Sequence, residues 1–266
     1  MGEVRAAARR AEGSQPLRAL ARGGYAANGL VHCVIGIIAL VVAAGGPGEG
    51  DQVGAFRAIA EAPLGFLALW AVAILLWGLG VWHAAAGVSV IRSSDVKEWG
   101  VRVAEFGQAI VFLALGGVGA AVALGSRPDP DQSAEDASRG VLAVPGGALL
   151  LGAVALGILV GGAAFLVMGV RRSYRNKVAL PPGAAGHAVS ALGVVGFVAK
   201  GVALAIIGIL LLVAAVHVEP DAAGGLDGAL DALLGLPLGP VLVGTVGVGL
   251  CAYGVFCGFR ARYARL

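Results

Sequence analysis

Six stretches of this chain are apolar over about twenty residues or more, and they constrain the fold more than any other feature. An α-helix rises 1.5 Å per residue, so about 20 apolar residues carry a helix across the hydrocarbon layer of a bilayer. The stretches run approximately from Gly23 to Ala44, Leu64 to Val90, Val103 to Gly125, Val144 to Val170, Ala188 to Val216 and Leu238 to Phe259. Barrel strands alternate apolar and polar residues, and these stretches do not. Hydrophobic residues make up 58% of the chain against 13% charged, and mean hydropathy is +0.88. Such a surface matches lipid as its solvent. The 45 glycines fall largely inside the apolar stretches, where small residues let helices approach closely. The expected fold class is all-α, a polytopic bundle of six transmembrane helices.

Lys and Arg accumulate on the side of a membrane that is not translocated. Fifteen of them lie in the N-terminal segment, the second and fourth loops and the tail, Arg92 among them. The opposite side holds Arg57, Arg127 and Arg139 together with most of the acidic residues. That asymmetry predicts that both termini are cytoplasmic. Arg9-Arg10 does not read as an export signal, because a polar stretch and then a full-length span follow it. The pI near 9.0 comes from loops suited to anionic lipid headgroups, and no nucleic-acid partner is implied. Cys33, Cys251 and Cys257 lie within apolar stretches with no paired-ligand spacing, so they read as small buried hydrophobes.

The apolar stretches repeat in pairs. GYAANGLVHCVIGIIAL, beginning at Gly24, matches GFVAKGVALAIIGILLL, beginning at Gly196, so that Tyr25, Gly29 and Gly36 correspond to Phe197, Gly201 and Gly208. The middle copy is more diverged and aligns Gln108, Ala109 and Gly116 with Asn28, Gly29 and Gly36. Pro63-Leu64-Gly65 returns as Pro237-Leu238-Gly239, with Pro145 in the middle copy, and Gly80 returns as Gly162 and Gly254. Units with an even number of spans insert in the same orientation, so three of them predict a pseudo-threefold axis along the membrane normal. The expected organisation is a cytoplasmic basic arm over 1–19 and two-helix repeats over 20–93, 99–175 and 187–263. Just before the second helix of a repeat, GAFRAIAEAPLG and GALDALLGLPLG read as short amphipathic helices at the outer interface.

With its aromatic residue, its polar residue before a glycine and its three two-helix units, the chain resembles the bacterial membrane family called domain of unknown function 1206. The resemblance covers nearly everything beyond the N-terminal arm. The family's basic residue before the first glycine is kept as Lys200-Gly201, becomes Asn28-Gly29 in the first copy, and is lost at Gln108-Ala109. The resemblance implies a membrane location and this architecture, and brings no catalytic residues with it.

Polar side chains inside a span are costly, about 2.5 to 3.5 kcal/mol for a central lysine, so Asn28, Gln108 and Lys200 are expected to face the protein interior. Their equivalence under the repeat suggests one intramembrane polar ring, with Glu105 one turn before Gln108 and able to neutralise Lys200. The alternative is purely structural, with interhelical hydrogen bonds and a snorkelling lysine. His32 and His83 admit a haem or quinone reading, although nothing else in the pattern supports one. The pairs Gly157/Gly161 and Gly254/Gly258 read as packing faces within the molecule rather than as a dimer seam. Walker, nucleophile-elbow and dinucleotide-binding motifs are absent. The expected role is therefore non-enzymatic, with no cofactor or metal. Membrane lipids and a membrane-protein partner or second copy are the candidate partners. A small transporter or channel built on Asn28, Glu105, Gln108 and Lys200 is the alternative.

Overall fold

The computed structural model describes residues 2–91, 95–126, 128–223 and 225–266. Arg92, Arg127 and the proposed repeat boundary at 93 lie outside the described residues. Ten α-helices follow in order: α1 Gly2–Glu12, α2 Gln15–Ala43, α3 Gln52–Glu61, α4 Gly65–Ser89, α5 Asp95–Ala123, α6 Pro130–Leu142, α7 Gly147–Val170, α8 Gly183–His217, α9 Leu226–Leu234 and α10 Gly239–Tyr263. Six of them, α2, α4, α5, α7, α8 and α10, are long and apolar enough to cross a membrane. No strand occurs among the described residues beyond one isolated bridge, Val178 with Ala264. The chain is an all-α multi-pass membrane protein.

The first helix of each repeat starts earlier than hydropathy suggests, at Gln15, Asp95 and Gly183. Apolarity marks only the hydrocarbon, whereas a helix continues wherever its backbone bonds and ends are satisfied. Pro16 in the first turn of α2 suits a helix start. Arg18 and Arg22, inside that extension, reach back to carbonyls of Ala261, Arg262, Ala264 and Leu266 in the tail. The N-terminal arm is likewise helical, with α1 lying against α4.

Each second helix is entered through the same turn. Leu64, Gly146 and Leu238 occupy equivalent positions and are all left-handed, at φ 62°, 80° and 63°. The glycine that follows each has no room for a side chain. A Cβ on Gly65, Gly147 or Gly239 would fall 2.2, 1.8 and 2.3 Å from a carbonyl oxygen of the preceding short helix. The Pro-Leu-Gly signature is thus a tight reversal that folds the short helix back over the bundle. All three repeats contain that helix, as α3, α6 and α9, although only the first and last are legible as amphipathic segments. They cap the bundle more than they lie on it: Phe56 of α3 is fully buried, and α3 packs on α2, α4 and α5.

The cap carries one buried and one half-buried carboxylate. Asp51 caps α3 by accepting from the Gly54 amide at 2.7 Å, and Asp227 accepts from the Gly50 amide at 2.8 Å. Burial pushes the Asp51 carboxyl up to about 6, and Asp227 and Glu49 nearby push in the same direction. Asp227 is raised for the same reason.

The six spans form a ring. Going round it, α2 packs on α4, α4 on α5, α7 on α8, α8 on α10 and α10 back on α2. The three seams between repeats use equivalent positions. Gly29 and Gly36 of α2 meet the backbones of Gly254 and Gly247 of α10; Gly201 and Gly208 of α8 meet Gly162 and Leu159 of α7; Gly116 of α5 meets Ala73 and Trp77, while Gly80 of α4 meets Ala109 and Leu113. Cys33 and Cys251 sit between the glycines of the first seam as small packing residues. The pseudo-threefold relation therefore holds at all three between-repeat seams. Within the middle repeat it is weakened, because among the described residues α5 and α7 make no extensive contact with each other. The ring centre is filled by Ile35, Leu69, Leu76, Leu79 and Leu250, all buried.

One glycine expectation is corrected by this packing. Gly254 lies against α2, but Gly157, Gly161 and Gly258 have nothing within 4 Å of where a Cβ would stand. Helix α7 turns Gly162 and Gly169 toward α8 instead, leaving the Gly157/Gly161 face unpacked within the molecule.

Candidate functional site

The polar residues do not make one ring. Lys200 of α8 donates to His32 Nε2 of α2 at 3.1 Å, and its ammonium lies over the rings of Tyr253 and Phe165, at 4.5 and 5.3 Å from their centroids. His32 in turn donates from Nδ1 to the Asn28 carbonyl at 2.8 Å. The Asn28 amide reaches Cys257 Sγ at 3.4 Å. Hydrogen bonding and cation–π attraction thus satisfy a lysine that has no carboxylate beside it among the described residues. Gln108 takes no part: its amide reaches only the Ala104 carbonyl of its own helix, at 3.5 Å. It lies on α5, at the open side of the ring, which the closed threefold expectation could not anticipate.

Glu105 does not pair with Lys200 either. It points from α5 toward α4, where His83 Nδ1 meets Glu105 Oε2 at 2.6 Å, and Lys177 Nζ lies 3.6 Å from Oε1. The chain of contacts continues from His83. Its Nε2 lies 3.4 Å from the Tyr25 hydroxyl, which accepts from Arg260 Nη2 at 2.9 Å, and the Arg260 guanidinium stacks over the Tyr25 ring at 4.0 Å. One proton arrangement satisfies every link: Arg260 donates to Tyr25, Tyr25 to His83 Nε2, and His83 Nδ1–H to Glu105. Both ring nitrogens of His83 are engaged, as are both of His32, so neither is free to ligate an iron.

This network forms the floor of a cleft of about 400 Å³ on the face that carries both termini. Its walls come from α1, α2, α4, α5, α10 and the tail, with Lys177 on the remaining side. Among the described residues four basic side chains line it, Arg9, Lys177, Arg260 and Arg265, against two acidic ones, Glu12 and Glu105. Both acids are already engaged, Glu105 as above and Glu12 by the Ser89 hydroxyl. The tail is held in place by the Ala179 amide donating to Tyr263 and the Arg265 amide donating to Lys177. That exchange brings Lys177 and Arg265 to the same rim.

Two buried donors in the cleft have no acceptor among the described residues. Trp82, 8% exposed, lines the cleft with its indole Nε1 unpartnered, and Arg260 Nε is buried and unpartnered. A buried donor without a partner costs about 1–3 kcal/mol, and buried indole N–H groups usually find one. Both are donors, and they sit beside basic groups. The cleft is therefore complementary to an acceptor-rich anion of phosphate or carboxylate type.

The sequence contained a clue to this site. Counting by repeat, Glu105 stands where the other copies have aromatic Tyr25 and Phe197, and Arg260 stands where they have Ala86 and Met168. Both departures from the repeat fall in the cleft.

The same three units are found by a family model described as Domain of Unknown Function (DUF1206), which matches residues 23–89, 105–172 and 195–264. The chain belongs to this family. Each DUF1206 unit contains one span, its capping helix and the next span, so the between-repeat glycine seams are contacts between different units, the first with the second, the second with the third and the third with the first. The chain is also similar to Uncharacterized protein YxxB of Bacillus subtilis (strain 168), at 26% identity over 260 residues, covering 94% of this chain and 92% of the relative. No solved structure matches the chain.

Proposed function

We propose that this DUF1206 protein is a non-enzymatic lipid-interacting membrane protein whose cleft takes the anionic phosphate headgroup of a cytoplasmic-leaflet phospholipid. The observation that carries this reading is the pair of unpartnered buried donors, Trp82 Nε1 and Arg260 Nε, in a cleft rimmed by Arg9, Lys177 and Arg265. A phosphate supplies several acceptor oxygens and a negative charge at once. The side of the bundle agrees with it. The cleft lies on the face rich in Lys and Arg, where anionic headgroups attract basic residues by about 1 kcal/mol each. Below the floor the ring is filled with apolar side chains, which favours a receptor over a conduit. Lys200 and Asn28 then serve packing, since their polar atoms are used up between helices.

The soluble headgroup glycerophosphoglycerol tests the reading on the purified full chain in neutral detergent. It should raise the thermal midpoint saturably. A ligand at 100 times its Kd stabilises by about 2.7 kcal/mol, or about 5 to 10 °C for a chain of this size. Zwitterionic glycerophosphocholine should do much less, and Arg260→Met and Lys177→Met should each reduce the shift. Equal shifts with both headgroups, or none with either, would contradict an anion-selective cleft.

A further inference from the structure

The cleft is deep as well as charged. Along α4 its lining climbs from Trp82 through Ala86 to Ser89, about 10 Å of helical rise toward the face that carries the termini. Along α5 it climbs from Glu105 to Val101, about 6 Å in the same direction. A volume of about 400 Å³ falls in the range of pockets that enclose molecules of drug size. One phosphate on Trp82 Nε1 and Arg260 Nε fills the floor and leaves the upper part of that space unfilled.

Charge is divided between the two levels. At the floor the Glu105 carboxylate is answered by His83 Nδ1 at 2.6 Å and by Lys177 Nζ at 3.6 Å. The Arg260 guanidinium, bonded there to the neutral Tyr25 hydroxyl, is left as one positive charge in excess. At the rim Arg9 and Arg265 face a single lining carboxylate, Glu12, which accepts from the Ser89 hydroxyl. The Leu266 carbonyl beside them is taken up by Arg18 at 2.6 Å. Among the described residues each level of the cleft therefore holds one positive charge in excess. Between the levels the lining residues Ala86 and Val101 are apolar.

We infer that the cleft takes a headgroup carrying two phosphates joined by a short uncharged linker, one phosphate on the floor donors and the other at the rim with Arg9 and Arg265. This assignment deepens the anion reading of the floor and rests on it. Two phosphates spaced along the cleft meet one excess positive charge each, and the linker crosses Ala86 and Val101. A single phosphate at the floor leaves the rim charge unanswered, whereas two adjacent phosphates crowd both negative charges onto one level. A lipid in which glycerol bridges two phosphates has the required chemistry, and basic pockets between helices at headgroup level suit such headgroups.

Thermal shifts of the purified full chain in neutral detergent, with three soluble probes, test the two levels. Bis(glycerophospho)glycerol, whose two phosphates are bridged by glycerol, should reach half-saturation at a concentration about tenfold below that of glycerophosphoglycerol, which has one phosphate. Pyrophosphate, whose two phosphates are adjacent, should fall short of bis(glycerophospho)glycerol. The double variant Arg9→Met/Arg265→Met should weaken the two-phosphate probe about tenfold and the one-phosphate probe by much less, and Arg260→Met should weaken both. Should the double variant lower the unliganded midpoint, Arg9→Met alone, at an exposed position of α1, is expected to show the same split. Equal half-saturation for the one- and two-phosphate probes would overturn the upper level and leave the floor standing. Pyrophosphate binding as tightly as bis(glycerophospho)glycerol would overturn the spacing. No shift with any of the three would overturn floor and rim together. Native mass spectrometry with equimolar cardiolipin and phosphatidylglycerol separates a lipid from a soluble source. Preferential retention of cardiolipin, the glycerol-bridged two-phosphate lipid, is expected, and its absence would overturn a lipid as the source.

Discussion

His83 of α4 and Glu105 of α5 meet at 2.6 Å, and the hydrogen bond joins the second span of one repeat to the first span of the next at the floor of the cleft. Both residues are buried, so each is the other's means of leaving water. A neutral or charged donor facing a carboxylate is worth about 1.5–3 kcal/mol, and leaving either partner unpaired costs its desolvation as well. Glu105→Leu should therefore lower stability by about 2–3 kcal/mol. Glu105→Gln, whose amide oxygen still accepts from His83, should cost about half as much. Thermal unfolding in detergent separates the two, and equal midpoints for both variants would mean that His83 does not depend on Glu105.

The between-repeat seams and the open glycines should respond oppositely to the same substitution. A Cβ on Gly36 would sit 2.5 Å from Cys251 Sγ and 2.6 Å from the Gly247 carbonyl, so Gly36→Leu must push α2 and α10 apart. Overpacking of this kind costs about 1–3 kcal/mol or more. Gly117→Leu faces open space on α5 and should stay within about 0.5 kcal/mol. Detergent-solubilised midpoints of the two variants give the comparison directly.

Much of this architecture can be read from the residues, for a physical reason. Bilayer thickness fixes the length of an apolar run, and close helix approach demands glycine, so spans, repeats and seams leave marks at Gly29, Gly36, Gly80 and Gly254. The α6 cap escapes notice because its face is polar and its turn has Gly146 in place of the leucine at Leu64 and Leu238. The site is harder still. Equivalence by repeat groups Asn28, Gln108 and Lys200, but equivalent positions share an environment only where the ring is closed, and it is open beside Gln108. Tyr25, His83, Glu105, Lys177 and Arg260 come from five segments, so no local spacing unites them.

The cap formed by α3 should be pH-dependent through Asp51. Its carboxyl binds a proton more tightly in the folded chain, at about 6, than in the unfolded chain near 3.9. Where the folded state holds more protons, stability falls as pH rises. The contribution of this group is thus fully present below about pH 4 and is lost as pH rises through about 6. Asp51→Asn keeps an acceptor for the Gly54 amide and cannot titrate. The difference between wild-type and Asp51→Asn unfolding midpoints should therefore shift against wild type from pH 4 to pH 7, and a constant difference would exclude a buried, proton-binding Asp51.

The charge asymmetry predicts cytoplasmic termini, and labelling tests it. In a background with Cys33, Cys251 and Cys257 replaced by alanine, a cysteine at Arg10 should resist a membrane-impermeant maleimide in intact cells, and a cysteine at Glu135 on α6 should react. Reversed labelling would put the cleft on the opposite leaflet.

An electron cryo-microscopy map of the full chain in nanodiscs containing phosphatidylglycerol tests the cleft most directly. Density of phosphate size should stand within hydrogen-bond distance of both Trp82 Nε1 and Arg260 Nε, with Glu105 still on His83. A cleft without such density, in which Arg260 has turned to pair with Glu105, would contradict an anion site.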